Sequence, residues 1–289
     1  RWALCPLVCA TWALRGSGIR WPHWEEINPA EYPKAAGRKG VCFKLEFLTK
    51  FNGIEHGHAH DALSDVEATI GLAKLIREKE PRLWTWAFKN RTKEAVETAV
   101  SDAKPVVWVT PKFGISRGCT RIVACIHANG NDRYMWDLMH DPEILRTLPL
   151  EELKLRLFPS RADREAGVEP LPIQRLKTNA SPFVCTSLKV LSPDRAAKYG
   201  IDFNAVLENH RKLLAVLPYI EASMTKALLR HDVGHMSDVD LDLYGGGFTH
   251  PADKALFREI RSQTPQTLAA LCDQEKLHFR DARFEKLLL

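Results

Sequence analysis

The chain has 289 residues, 45% of them hydrophobic and 27% charged, with a formal net charge of +5 at pH 7. That length allows about two domains, at on the order of 150 residues each. Its composition is that of a globular protein, and no apolar run approaches the ~20 residues a membrane-spanning helix needs.

In chain order, RWALCPLVCATWAL reads as a helix, followed by a turn at Gly16-Ser17-Gly18 and by Trp21-Pro22. It lacks a cleavage-site pattern and is not read as a signal peptide. The first residue is Arg1 rather than Met, so the natural N-terminus is expected to lie elsewhere. Seven cysteines (5, 9, 42, 119, 125, 185 and 272) form no C-x-x-C pair, which favours buried thiols in a reducing cytoplasm. Residues 23–41, with Pro29, Pro33, Gly37 and Gly40, read as a loop. Phe43-Lys44-Leu45-Glu46 then leads into a helix carrying Leu48 and Thr49.

Leu63, Val66, Ile70, Ala73 and Ile76 recur every three or four residues, the period of an amphipathic helix. Asp61 supplies a carboxylate at its start and Pro81 stops it. His60 therefore sits at the mouth of the helix and Asp65 on its second turn. A histidine there can act as a general base, and the carboxylate can hold a hard cation such as Mg²⁺. On pattern alone, a helix-capping imidazole and a solvated surface acid are the better readings. His56, His58 and His60 alternate and invite a zinc reading, but no cysteine or further histidine is close in sequence. His231 and His235 have zincin spacing, but Asp232 stands where Glu belongs and Gly234 weakens the helix.

Between Arg82 and Arg133, nine Lys or Arg stand against four acids, so this segment carries the whole cationic surplus. Trp84, Trp86, Phe88, Trp108 and Phe113 are interleaved with them. Such a mixture suits single-stranded nucleic acid, with phosphates on the cations and bases on the rings. A solvated basic face over an aromatic core fits the composition as well.

A helix is expected over 82–100, with a boundary at Lys104-Pro105. VVWV (106–109), RIVACI (121–126), RYMWDLM (133–139) and IQRLKT (173–178) read as strands, with a helical stretch from Asp141 to Leu157. Together they suggest a small antiparallel sheet with helices. Ser192-Pro193 opens a helix that Gly200 ends. Further helices are expected over Phe203–Leu217 and on to Leu229. Asp238–Gly247 reads as an acidic, glycine-rich linker, and Thr249–Asp253 opens a last helix.

The His-x₄-Asp pair of His60 and Asp65 resembles the last motif of the DEDDh 3′→5′ exonucleases. LTKFNGIEH, AHDALSDVEATIGLAKLI and EPRLW, taken together, resemble bacterial exodeoxyribonuclease I, the single-strand-specific branch. LYGGGF and the closing RFEKLLL are similar to the start of that family's C-terminal helical domain. The resemblance implies an α/β fold. It divides the chain into the C-terminal part of a ribonuclease-H-like exonuclease domain over 1–82, a Src-homology-like barrel with helices over 83–237, and the start of a helical domain over 238–289. It also implies that residues 23–41 are a local insertion.

By the same resemblance, His60 is the general base and Asp65 one ligand of a two-Mg²⁺ site. The remaining acids, an Asp-x-Glu and a further Asp, would precede Arg1. The chain is then expected to be a piece of an exonuclease, cut at both ends and inactive alone. Lys44 stands where the family has an arginine that grips phosphate. Arg15, Trp86 (a tyrosine in the family) and Lys104 match a ridge that binds DNA and the acidic tail of single-strand-binding protein. Lys93, Arg117 and Arg121 are further cationic candidates, though each alone reads equally as a solvated charge. The expected partners are single-stranded DNA and that tail, with no membrane, for a cytoplasmic monomer. A non-catalytic single-strand-binding piece and a zinc hydrolase are the alternatives.

Overall fold

The computed structural model describes residues 4–15, 18–56, 61–228, 249–273, 278–281 and 284. Residues 1–228 form one compact unit and residues 229–289 a second.

The first unit opens with α1 (Leu4–Ala10), which runs into a π-helix over Thr11–Arg15. The expected opening helix is thus shorter and irregular. Thr11 donates its hydroxyl back to the Leu7 carbonyl at 2.8 Å, and the Ala13 carbonyl accepts from Tyr199 Oη (3.0 Å) and Arg195 (2.6 Å). The 23–41 loop folds around its own small core of Ile27, Ala35 and Cys42, covered by Trp24, Tyr32 and Phe47.

Helices α2 (Leu45–Phe51), α3 (Ala62–Lys79) and α4 (Pro81–Lys89) follow. Pro81 sits at the first turn of α4, where a missing N–H costs nothing. Helix α3 buries Ala68, Leu72 and Ile76, with α1, α2 and α4 as its neighbours. The expected face is only partly buried: Leu63, Val66 and Ile70 are 66%, 54% and 48% exposed. Gly71 lets the chain before α3 approach closely, because a Cβ there would stand 2.6 Å from Ile54 Cγ2.

The single helix expected over 82–100 is two, since α5 (Lys93–Ala99) restarts at a Thr92 cap. Beyond it lies a five-stranded antiparallel sheet made of β1 (Val106–Val109), β2 (Thr120–Asn129), β3 (Asp132–Asp137), β4 (Ile173–Lys177) and β5 (Phe183–Cys185), in the order β4-β3-β2-β1-β5. The short β5 was not anticipated. Both faces of the sheet are covered. Val106, Trp108, Val123, Met135 and Leu176 pack with Val96 of α5 and with Val100 at its C-cap. Val107, Val109, Ile122, Ala124 and Trp136 face the larger core that includes α1 and the long α10 described below. Two-sided burial is why VVWV is apolar at every position rather than at alternate ones.

Short helices α6 (Ile144–Thr147), α7 (Leu150–Leu157) and α8 (Arg161–Glu165) bridge β3 to β4. After β5 come α9 (Pro193–Lys198), opened by the Ser192 cap, and α10 (Phe203–Leu228). Helix α10 passes through Pro218 without ending, where sequence suggested two helices. Its buried stripe of Val206, Leu213, Val216, Ile220 and Met224 outweighs the missing hydrogen bond.

In the second unit, His250 caps α11 (Pro251–Ser262), and α12 (Pro265–Asp273) follows. Phe257, Phe279 and Phe284 form a ring cluster with centroids 4.9–5.7 Å apart. The expected 238–247 linker lies outside the described residues. Among the described residues, no helix is long and apolar enough to cross a membrane.

Candidate functional site

Helix α3 begins as its sequence dictates. Asp61 is the N-cap, and its Oδ2 accepts from the Ser64 amide at 3.0 Å. One turn on, Asp65 points back toward the loop leaving α2. Its Oδ1 lies 3.0 Å from His56 Nε2, with the two side chains 16% and 6% exposed. On the other side of the imidazole, Nδ1 is 3.3 Å from the hydroxyl of fully buried Thr49, which in turn donates to the Leu45 carbonyl at 2.8 Å. The line Thr49–His56–Asp65 fixes this carboxylate between two helices. His60 and His58 lie outside the described residues. The structure therefore brings together a pair that sequence spacing did not, because His56 had been weighed only as one of three alternating histidines. The two stand nine positions apart in the sequence.

A pair of Mg²⁺ ions needs several converging carboxylates. No group of three or more His, Cys, Asp or Glu side chains that could hold a metal ion occurs among the described residues. Asp65 offers a single carboxylate, with one oxygen already against His56. The described donor set does not fit a two-cation site. His231 and His235 lie outside the described residues, as do His58 and His60, which leaves His56 as the one described member of the zinc constellations.

The cationic candidates fall into different environments. Arg15 ends the π-helix, and its side chain lies outside the described residues. Lys44 caps the start of α2; its ammonium meets the Tyr32 hydroxyl and Glu46 Oε1 (3.2 Å) and lies 4.6 Å from the Tyr32 ring centroid. The Tyr32 hydrogen bond, followed by that to Glu46, holds the Lys44 ammonium above the ordinary lysine range. Lys93 opens α5 at 4.0 Å from Glu97, and exposed Lys104 pairs with Asp102 at 3.0 Å. Arg117 is exposed on the turn between β1 and β2.

Arg121 does not belong with them. It is only 5% exposed, ion-paired to buried Asp137 at 3.1 Å, and donates to the carbonyls of Thr120 (2.9 Å) and Tyr199 (3.0 Å). Burial pushes its pKa down, against the pull of Asp137. It occupies a strand position opposite Trp108, inside the covered sheet, where its ion pair and carbonyl contacts hold it rather than at the exposed surface expected of it.

Trp86 is half-buried on α4 and donates its indole N–H to the Val184 carbonyl at 3.3 Å, which ties α4 to β5. It lines a cavity of about 200 Å³ with Leu7, Trp84, Phe88, Arg91 and Phe183. The Arg91 guanidinium lies 3.7 Å from the Phe88 ring centroid and donates to the Phe88 carbonyl. This gives an apolar hollow with a cation at its edge.

Known proteins resemble this chain along its length. Residues 91–228 match the Exonuclease I SH3-like domain and residues 237–289 the Exonuclease I C-terminal domain. Exodeoxyribonuclease I of Escherichia coli is 34% identical over 294 residues, covering all of this chain and 58% of the relative. A zinc-ion-bound Escherichia coli ExoI–ssDNA complex superposes with a TM-score of 0.76 at 32% identity, over 99% of this chain and 57% of the other. An ExoI/SSB-Ct complex gives a TM-score of 0.72 at 32% identity, again over 99% and 57%. The chain thus spans a little over half the length of these relatives.

Proposed function

We propose, from the premise that this chain belongs to the exodeoxyribonuclease I family, that it carries the single-strand-binding portion of a 3′→5′ exodeoxyribonuclease. The observation that carries this reading is the similarity along the whole chain to an exonuclease solved with single-stranded DNA. The exposed cations Lys93, Lys104 and Arg117 and the half-buried Trp86 supply phosphate contacts and a stacking face. The hollow beside Trp86, apolar with Arg91 at its rim, suits an acidic peptide end with an apolar residue. The acidic tail of single-strand-binding protein would meet the Arg91 cation there.

On the same reading, residues 1–82 are the C-terminal part of a ribonuclease-H-like nuclease domain. His60 is its general base, a role worth ~10²–10⁴ in rate. Asp65, steadied by His56, is one ligand for Mg²⁺. A second reading is a binding module without hydrolysis, supported by the described residues, among which no group of three or more potential metal ligands occurs.

Tryptophan fluorescence on titration with single-stranded and duplex oligonucleotides at several salt concentrations tests the binding. Preference for single strands, weakening as salt rises, is the expected result. Equal or absent binding by a folded chain would sink the proposal. Nucleotide release on adding Mg²⁺ or Mn²⁺ to the bound strand would overturn both the second reading and the expectation that the chain is inactive alone.

A further inference from the structure

Lys112 was not singled out among the cations of its segment, yet it has the least ordinary surroundings of them. It sits on the turn Pro111–Phe113 that follows β1, a turn preset by Pro111 and by the Thr110 hydroxyl accepting from the Lys112 amide. From there its ammonium crosses to the edge strand β4 and donates to the Arg175 carbonyl at 2.8 Å. It also lies 5.9 Å from the Trp108 ring centroid, and Phe113 packs edge-on against Trp108 at 5.1 Å. Arg175 and Lys177 stand two apart on β4, so they project from the same face of that strand.

This notch therefore gathers three cations. Asp132 is the carboxylate beside them, 3.5 Å from the Arg175 guanidinium and opposite Lys177 in the strand register. Burial, then the like charges of Arg175 and Lys177, hold the Lys112 ammonium below the ordinary lysine range, with Asp132 opposing them. In the free protein this crowding is unfavourable, and an anion seated among the three would relieve it. Lys112 uses one donor on the Arg175 carbonyl and keeps two. Among the described residues Lys177 makes no ion pair. The half-exposed Phe113 offers a ring at the border of the notch.

We propose that Lys112, Arg175 and Lys177 form a phosphate-binding notch for a single-stranded nucleic acid, with a neighbouring base against Phe113. This rests on the single-strand-binding reading above and adds to it a site that no sequence motif indicated. Being anchored to a backbone carbonyl, Lys112 is a preorganised point charge. It contributes affinity without base preference.

The test is fluorescence anisotropy of a labelled oligothymidylate bound by the full chain, with wild type, Lys112→Met, Lys177→Gln and the exposed control Lys189→Gln, outside the notch, measured across a salt series. Each notch variant should bind several-fold more weakly, and its slope of log affinity against log salt should flatten by about 0.7 for each phosphate that no longer meets a cation. Lys189→Gln should keep the wild-type slope. Lys177 is exposed, so its variant keeps the test valid if Lys112→Met folds poorly. Notch variants with the wild-type slope overturn this inference while leaving the binding reading intact, as does a control that flattens equally. A wild-type chain that fails to bind the oligonucleotide removes the binding reading, and the notch with it.

Discussion

The sheet of β1–β5 and the helix α3 treat their apolar residues in opposite ways. Every residue of β1 is buried, because α5 covers one face of the sheet and α1 with α10 the other. Helix α3 buries Ala68, Leu72 and Ile76 but leaves Leu63, Val66 and Ile70 in solvent. A periodic sequence therefore identifies a helix reliably, but its packing partners decide which stripe is covered. The closeness of Ile54 to Gly71 shows how tightly the covered side of α3 is seated.

The sharpest way to test the buried region is to remove half of its ion pair. Asp137→Ala leaves Arg121 charged inside the sheet, and we expect a destabilisation of about 3–5 kcal/mol in urea unfolding. A change near zero would mean that Arg121 escapes to solvent, which would restore it as a nucleic-acid contact. A smaller effect is expected at the border of the same region. Gly118 has φ +61° and would place a Cβ 2.4 Å from the Tyr199 ring, so Gly118→Ala should cost about 1–3 kcal/mol in the same measurement. The smallest effect belongs to α3. Leu63→Gln, Val66→Gln and Ile70→Gln should each change stability by no more than about 0.5 kcal/mol. Large destabilisation there would show that the exposed stripe is covered in solution and would erase the contrast.

Much of the fold was legible for identifiable reasons. VVWV and RIVACI are dense in β-branched residues, and Ser192-Pro193 is a helix start in both its residues. Phe183–Cys185 was missed because a three-residue edge strand leaves no period to read. The helix through Pro218 was cut in two because a local rule was applied where tertiary burial prevails. At the site, Asp61 and Asp65 on the first turns of α3 could be placed from sequence. The partner of Asp65 could not, because no local pattern links His56 to a carboxylate nine positions further on. Arg121 was misjudged because charge and neighbours in sequence suggested a surface, while its register opposite Trp108 puts it in the interior.

The π-helix at Thr11–Arg15 has a consequence for how the chain tolerates changes in length. A π-turn holds one residue more than an α-helical turn, so this segment stores an extra residue at the end of α1. Deleting one residue there would let the helix become regular. It would also rebuild the backbone at Ala13, which lies inside the π-helical segment. The Ala13 carbonyl would then leave Tyr199 and Arg195, the two side chains that now meet it from α9 and its end. A single-codon deletion in this stretch should therefore be far less tolerated than one of the same size in the exposed turn at Gly130.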